Sequence, residues 1–316
     1  MIRVISTGSK GNSYVIQAGE EILLLELGVP FKDILKDLHF SLENVVGCLV
    51  SHKHKDHSQG IGQAIKHGLN VYCNQDVEDS FNGEKRRIKV IEPLKKFTLG
   101  GFTILPFDCQ HTNNDGSECP NLGFLIEHKK LGKILFATDT YYLKYTFKDI
   151  KHILIECNYT EKYLDEIPEY RARVLKSHMS LETLKETLKT WDLKNTERIT
   201  LIHLSSDNGD SQYFREEIQK ATGCMVNVAS EKELFRRKNI MQKTIKVRCL
   251  ESFSEVSLRT KKLLANVKEG VYEAELYEET GEYFAKDHKG REFLVGELGD
   301  DEREIELDEN FELVEE

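Results

Sequence analysis

Residues 45–57 read Val-Val-Gly-Cys-Leu-Val-Ser-His-Lys-His-Lys-Asp-His, an apolar run followed at once by three histidines and an aspartate. The run over residues 45–50 is continuously apolar, which is typical of a β-strand buried on both faces. Imidazole nitrogen is a good ligand for Zn²⁺, and carboxylate oxygen suits Zn²⁺ or Mn²⁺. The stretch therefore predicts a metal-binding loop at the end of a buried strand. The alternative is a solvated loop that is merely rich in His and Lys.

The spacing within this loop predicts two metal ions. His52 and His54 alternate along the chain, so they can face one ion, whereas Asp56 and His57 are displaced enough to face a second. The pattern His52-x-His54-x-Asp56-His57 resembles the HxHxDH signature of the metallo-β-lactamase superfamily.

This resemblance implies three further ligands, each just after a strand: a distal histidine, a bridging aspartate and a C-terminal histidine. His111 follows the strand-like residues 104–110, Asp139 follows residues 134–138, and His203 follows residues 200–202. The resemblance also implies two divalent ions, Zn²⁺ or Mn²⁺, with a hydroxide between them as the nucleophile. The implied assignment is His52, His54 and His111 for the first ion, Asp56, His57 and His203 for the second, and Asp139 as the bridge.

A closer resemblance is to the YycJ/WalJ-like branch of the superfamily, which is similar in layout to RNase Z. It covers residues 1 to about 236. That branch includes 5′→3′ DNA exonuclease activity, so the resemblance implies a phosphodiesterase, and more narrowly a nuclease. Besides the ligand motif, the matching segments are residues 8–12 (GSKGN), 138–140 (TDT), 155–158 (IECN), 177–180 (SHMS) and 203–208 (HLSSDN).

The same resemblance implies a group that protonates the leaving oxygen. In RNase Z-like enzymes a glutamate orients a histidine for this task, and Glu156 and His178 occupy the matching positions. A carboxylate beside an imidazole favours the protonated ring. We assign catalysis to this pair together with Asp56. The alternative role of His178 is to cap the helix that begins near Ser180.

Two positions depart from the family pattern. The superfamily has an Asp-x-Gly segment after the third strand, and this chain has Glu26-Leu27-Gly28. We expect the longer Glu26 side chain to support a metal ligand, with an adjusted geometry. The YycJ-like pattern has a histidine where this chain has Tyr159.

The order of strand-like and helix-like stretches fits a layered αβ/βα architecture, and the resemblance implies an α+β protein with the four-layer αβ/βα metallo-β-lactamase fold. Residues 1–238 are predicted to form the hydrolase domain. A Lys- and Arg-rich connector lies near residues 231–243, and residues 239–316 are predicted to form a small, acidic, β-rich domain, either a β-meander or an SH3-like barrel.

The charge distribution separates these two parts. The chain has 316 residues and a net charge of −10, and residues 241–316 hold 11 basic and 21 acidic residues. An acidic segment disfavours contact with nucleic acid, because that binding depends on phosphate neutralisation. The sequence leaves three roles open for the C-terminal domain: binding a protein partner, contacting a second copy of the chain in a homodimer, or imitating nucleic acid electrostatically.

The sequence also predicts a cytoplasmic protein. No apolar run approaches the roughly 20 residues that span a bilayer, and the N-terminus lacks the features of a signal peptide. The seven cysteines include no CxxC pair, which favours free thiols in a reducing compartment.

The leading hypothesis is a binuclear metal-dependent phosphodiesterase that acts on nucleic acid, most specifically a DNA exonuclease. The first alternative is hydrolysis of a cyclic nucleotide or another small signalling phosphodiester. Two further alternatives are a thioester or lactone hydrolase and a catalytically inactive binding protein on the same fold. No cofactor other than the metal ions is predicted.

Overall fold

The computed structural model describes residues 1–113, 115–163, 177–204, 210–229, 244–256, 263–277, 282–298, 305–308 and 310–314. The chain divides into two compact units, Met1–Glu231 and Lys232–Glu316, and each is described by itself. The predicted domain boundary after residue 238 and the predicted connector, residues 231–243, lie outside the described residues and stay predictions. The same holds for the last four residues of the 203–208 segment.

The first unit contains two mixed sheets. In the first sheet the strands follow one another in chain order; the first three are antiparallel, and the last four run parallel. Its strands are β1 (Ile2–Ser6), β2 (Ser13–Ala18), β3 (Glu21–Leu25), β4 (Val45–Leu49), β5 (Val71–Cys73) and β6 (Ile88–Val90).

The second sheet begins as an antiparallel meander and continues with parallel strands from its fourth strand onward. Its strands, again in chain order, are β7 (Phe97–Leu99), β8 (Phe102–Cys109), β9 (Asn121–His128), β10 (Gly132–Ala137), β11 (His152–Glu156), β12 (Arg198–Ile202) and β13 (Val226–Val228).

The helices of this unit are short and several have clear end signals. Among the described residues they are α1 (Phe31–Asp37), α2 (Lys55–Ser58), α3 (Ile61–Lys66), α4 (Gln75–Ser80), α5 (Leu181–Lys189) and α6 (Ser211–Thr222), with a 3₁₀ turn at Glu161–Tyr163. Asp210 caps α6 by accepting from the Tyr213 backbone, and Gly223 ends it in a left-handed conformation. Helix α5 buries Leu181, Leu184 and Leu188, the spacing of one helical face.

Three apolar cores lie between the layers. One lies between the sheets and joins side chains of both, such as Leu23 and Phe136. A second packs α1, α3 and α4 on the first sheet, as with Ile34. A third packs α5 and α6 on the second sheet, as with Leu184 and Phe214. Helices therefore cover the outer face of each sheet, which confirms the predicted four-layer αβ/βα arrangement.

The second unit is made of β-strands. Six form one sheet in the order β20-β19-β18-β17-β14-β21, and β15 pairs with β16. The strands are β14 (Thr244–Cys249), β15 (Phe253–Val256), β16 (Leu263–Val267), β17 (Gly270–Tyr277), β18 (Glu282–Lys286), β19 (Glu292–Leu298), β20 (Ile305–Leu307) and β21 (Phe311–Leu313).

This six-stranded sheet cannot be flat. Its edge strands β20 and β21 are consecutive in the chain, and the steps from Leu307 to Phe311 reach at most about 14 Å. A flat sheet of this size is about 24 Å across. The sheet therefore curves around a core that includes Val247, Tyr283 and Phe293. The β-rich character predicted for this region is confirmed, and its SH3-like assignment stays a prediction.

The sequence pattern did not predict β6, β11, β13, β15, β16, β20 or β21. Strands β6 and β13 have three residues each, which is too short for an alternating pattern to stand out. Among the described residues, no helix is long and apolar enough to cross a membrane.

Candidate metal centre

The predicted ligand residues come together at one edge of the two sheets. Parallel strands end at a shared edge, so residues that follow them become neighbours. In the ladder of β11 and β12, Glu156 pairs with Ile202, which places Glu156 beside His203. Asp139 follows the adjacent parallel strand β10, and the histidine-rich loop follows β4.

The first donor group consists of His52, His54, His111 and Asp139. His54 Nδ1 lies 3.0 Å from His52 Nε2 and 3.2 Å from His111 Nε2. Asp139 Oδ2 lies 3.8 Å from His52 Nε2 and 3.9 Å from His111 Nε2. Four donor atoms thus converge on one point.

The second donor group consists of Asp56, His57, His203 and Asp139. Asp139 now contributes its other oxygen, Oδ1, which lies 3.3 Å from His57 Nε2 and 3.5 Å from His203 Nε2. Asp56 Oδ2 lies 3.5 Å and 3.8 Å from the same two nitrogens. Because its two oxygens face different groups, Asp139 has the geometry of a bridging ligand.

These donors fit divalent metal ions. Ligands bound to one Zn²⁺ at about 2.1 Å lie about 3–3.5 Å from one another, close to the separations within each group. His203 Nε2 is buried and has no hydrogen-bond partner among the described residues, although a buried polar atom normally has one. A metal ion would supply that partner. The chemistry of the set, imidazole and carboxylate, suits Zn²⁺ or Mn²⁺.

The rings of the two buried histidines in the first group, His52 and His111, are oriented by contacts to the ring nitrogen that faces away from the group. Nδ1 of His52 lies 2.9 Å from the Ser51 hydroxyl, and Nδ1 of His111 lies 2.9 Å from the Ser177 carbonyl. A carbonyl only accepts, so the proton of His111 is on Nδ1 and its Nε2 lone pair faces the group.

Two asparagines that the sequence did not single out hold other ligands. Asn113 Oδ1 lies 3.2 Å from His54 Nε2, and Asn158 donates to the carbonyl of His203 at 2.8 Å. Asn158 lies in a segment that matches the YycJ-like pattern. Asn113 lies in a polar turn with no signal of its own in the sequence.

A third such residue, Asn12, ties the Gly-rich turn to the metal-binding loop. Its backbone N–H donates to the Asp56 carbonyl at 2.8 Å, and its amide lies 3.1 Å from His57 Nε2. This explains why a Gly-rich turn so far from the ligand motif in the sequence belongs to the site.

Glu26 supports the second group, as expected from the sequence. It is fully buried, and its Oε2 lies 3.4 Å from His57 Nδ1, an ion-pair contact longer than an ordinary hydrogen bond. The Ser51 N–H also points to the carboxylate, at 3.3 and 3.4 Å. Tyr159, the other departure from the pattern, is buried outside the donor groups, where its carbonyl accepts from the Leu181 N–H.

Glu156 and His178 form a close pair beside these groups. His178 Nδ1 lies 2.6 Å from Glu156 Oε1, and the His178 ring stacks on the His203 ring at 5.3 Å between centroids. Ser180, not His178, caps α5 by accepting from the Thr183 N–H. The helix-capping role considered for His178 is therefore wrong.

A further cluster of Asp139, Glu156, His178 and His203 lies near enough to hold a metal. Its hydrogen bonds argue against that. Glu156 Oε2 accepts from the backbone of Thr140 at 2.8 Å and of Met179 at 3.2 Å. Glu156 Oε1 faces Nδ1 of both His178 and His203, at 2.6 and 3.3 Å. Both oxygens of the Glu156 carboxylate therefore already have two polar partners each. The carboxylate orients two histidines instead of binding an ion.

The pKa values of the candidate ligands are those expected of residues that bind a metal ion. Burial lowers the pKa of His52 well below its ordinary value and that of His111 to about 4, so both rings stay neutral. Burial alone would raise the pKa of Asp139, but the facing His203 and His57 hold it well below its usual range. Burial would likewise lower the pKa of those two rings, yet Asp139 raises that of His57 well above normal and that of His203 to about 10. A cation that enters the second group must therefore displace protons.

Two sheets face to face, helices outside and a His/Asp cluster at one edge define the metallo-β-lactamase fold. The chain resembles in structure the metallo-β-lactamase fold protein YhfI from Bacillus subtilis, with a TM-score of 0.55 and 21% identity. That similarity covers 72% of this chain and 95% of YhfI.

The chain belongs to the family described as the Beta-lactamase superfamily domain, which matches residues 30–204, more than half of its length. It is similar to exodeoxyribonuclease YycJ of Bacillus anthracis, with 28% identity over 69% of this chain and 87% of that protein. It is also similar to exodeoxyribonuclease WalJ of Streptococcus pneumoniae serotype 2 strain D39, with 27% identity over 65% of this chain and 81% of that protein. These relatives confirm the resemblance to the YycJ/WalJ-like branch that the sequence motifs indicated.

Proposed function

We propose that this protein is a binuclear metal-dependent phosphodiesterase that degrades DNA from an end. The observation that carries the proposal is the position of Asp139, whose two carboxylate oxygens face two separate groups of buried donors. Two divalent ions held side by side suit phosphodiester hydrolysis, because they stabilise the attacking and the leaving oxygen together. The exodeoxyribonuclease names of the relatives supply the choice of DNA.

In this proposal the seven predicted ligands bind two ions, zinc or manganese. When bound, the ions supply the Lewis acidity that activates water and neutralises phosphoryl charge. The protein's own contribution is orientation: Asp139 sets the spacing of the two groups. Asp56 completes the second group, in which it has the catalytic role predicted from the sequence.

His178 holds the proton for the leaving oxygen. Its Nδ1 is bonded to Glu156, so Nε2 lies on the opposite side of the ring and is the nitrogen left to donate. The side chain is 21% exposed, whereas Glu156 is fully buried. A substrate can therefore reach the histidine, and the glutamate acts through it and through His203.

The test is a substrate panel with purified protein reloaded with Zn²⁺ or Mn²⁺ after chelation. Linear single- and double-stranded DNA labelled at either end should be shortened from one end, and a circular single strand of the same sequence should stay intact. RNA, cyclic mononucleotides, a thioester and a lactone complete the panel. Asp139→Ala should abolish the activity, and Asp79→Ala, an exposed aspartate on α4, should leave it unchanged.

The panel separates the alternatives directly. Cutting of the circle at the rate of the linear strand would overturn the exonuclease assignment. Hydrolysis of cyclic nucleotides with no loss of polymer would replace the nuclease by a small-molecule phosphodiesterase. Full activity of Asp139→Ala would end the metal mechanism.

The remaining predictions concern the second unit, the oligomeric state of the protein and its location in the cell. Binding of a protein partner by residues 239–316, a homodimer and a cytoplasmic location stay predictions.

A further inference from the structure

His54 differs from the other ligands of the first group in how it is held. His52 and His111 are 0% and 4% exposed and are fixed by packing, whereas His54 is only partly buried. His54 also turns Nδ1, not Nε2, toward the group, as its 3.0 and 3.2 Å contacts show. A ring that is not enclosed needs another restraint to keep one nitrogen facing an ion.

A short hairpin that includes residues 111–113 and 115–119 provides this restraint. It starts at the ligand His111, closes with a Thr112–Glu118 bridge, and returns with the Cys119 N–H donating to the His111 carbonyl. At its turn, Asn113 Oδ1 lies 3.2 Å from His54 Nε2. One hairpin therefore carries one ligand and touches a second.

The direction of each hydrogen bond in this turn follows from the groups involved. The Ser117 hydroxyl donates to Asp115 at 2.6 Å, so its oxygen is left to accept from the Asn113 amide at 3.0 Å. The same amide donates to the Glu118 carbonyl at 3.1 Å, and a carbonyl can only accept. The amide nitrogen of Asn113 is thus committed to the turn, and its carbonyl oxygen must face His54.

We propose that Asn113 is a positioning residue for the first metal ion: its carbonyl oxygen accepts the Nε2–H of His54 and leaves Nδ1 free to bind. The inference rests on the metal-binding part of the proposed function and is independent of the substrate. It makes Asn113, with its turn partners Asp115 and Ser117, a support of the metal centre, although none of these three side chains belongs to a donor group.

The experiment measures zinc binding by the full chain in competition with a chromophoric chelator. Asn113→Leu, similar in size but unable to accept, should weaken the first-group affinity about 10- to 100-fold, the usual cost of losing such a partner. Asn113→Asp keeps the acceptor for His54 but loses the amide donors to Ser117 and to the Glu118 carbonyl, so its loss of affinity should be clearly smaller than that of Asn113→Leu. Asn195→Leu, the same change at an exposed asparagine that bonds Asp149, is the matched control and should have no effect.

A double-mutant cycle identifies the route of the effect. In a His54→Ala background, Asn113→Leu should cause no further loss, because the residue through which it acts is gone. Equal zinc affinity of Asn113→Leu and wild type would overturn the inference, as would an equal loss in Asn113→Asp or an undiminished loss in the His54→Ala background. If the wild-type protein binds neither Zn²⁺ nor Mn²⁺, the proposed metal function itself fails, a result that is distinguishable from these.

Discussion

Three residues of the metal centre have backbone conformations that residues other than glycine rarely adopt. Glu26, Asp139 and His203 have φ angles of 62°, 49° and 55°, in the left-handed region. Each follows the end of a strand, where a reversal of the backbone turns the side chain toward the site. Such strain persists only where the surroundings enforce it, and here buried ion pairs and hydrogen bonds do so. The backbone conformations of these single residues therefore determine which side-chain atoms face the donor groups.

His178 offers the sharpest test of a single residue. If it supplies the proton to the leaving oxygen, His178→Ala should lower kcat about 10²- to 10⁴-fold. Zinc content should stay at the wild-type level, because Nδ1 of His178 is bonded to Glu156 and the residue lies outside both proposed ion sites. Steady-state kinetics and metal analysis of the same sample check both parts.

His152→Ala is the matched control, since His152 is a partly buried histidine at the start of β11, at the far end from Glu156. It should change neither kcat nor zinc content. Loss of zinc in His178→Ala would contradict the role given to this residue.

Among the elements, the loops between strands and helices determine whether the donors converge. The metal-binding loop enters α2 directly, and the segment after β3 lies against it: the Leu27 N–H donates to the His57 carbonyl at 2.9 Å. Gly28 makes this contact possible, because a Cβ there would lie 1.6 Å from the Asp56 carbonyl oxygen. The Asp-x-Gly position of the family thus has a steric reason in this chain.

Gly28→Ala should therefore displace the loop that carries Asp56 and His57 and weaken zinc binding at the second group. Since the obstacle is backbone, it cannot move aside as a flexible side chain would. Chelator competition measures the effect. Gly62→Ala in α3 is the control, because its Cβ would meet only the Phe81 ring at 3.7 Å. Wild-type zinc affinity in Gly28→Ala would contradict the argument.

Helix α5 begins three residues after His178, and its cap should contribute to stability. Ser180→Ala removes the acceptor for the Thr183 N–H and should lower the free energy of unfolding by about 1 kcal/mol. The chain's single tryptophan, Trp191, is buried close to the end of this helix. Its fluorescence during urea titration therefore reports unfolding of this unit.

Ser80→Ala is a suitable comparison, since that hydroxyl only donates to the Val77 carbonyl within α4. We expect a smaller change there. Equal destabilisation by the two substitutions would argue against a specific capping effect at Ser180.

At the scale of the whole molecule, the chain is two compact units of different character. Every donor of both groups lies in Met1–Glu231, which also holds three of the four apolar cores of the described residues. The net charge of −10, in contrast, comes from residues 241–316. The candidate metal ligands and the excess of negative charge therefore lie in separate parts of the chain.

A fragment of residues 1–231 should accordingly fold and bind zinc with the stoichiometry of the full chain. All seven proposed ligands and three of the apolar cores of the described residues lie within these residues. Circular dichroism and metal analysis after reloading check this. A fragment that folds but binds fewer ions would show that residues 232–316 contribute to the metal centre.

The sequence by itself determined the class of fold and the identity of the candidate ligands. An apolar run followed by His52, His54, Asp56 and His57 is a local pattern, whereas His111, Asp139 and His203 were predicted through the resemblance to the superfamily, as residues that follow strands. The Glu156–His178 pair was also predicted, through resemblance. Local patterns carry this information because strand formation and ligand spacing depend on residues close together in the chain.

Only the tertiary structure decided how the ligands are held. The supports of the rings are hydrogen bonds between residues far apart in sequence, such as His111 with Ser177 and His54 with Asn113. An asparagine or serine in a polar turn looks the same in the sequence whether or not it meets a metal ligand. That meeting depends on sheet register and loop closure, which bring distant strand ends to one edge, and no local pattern encodes it.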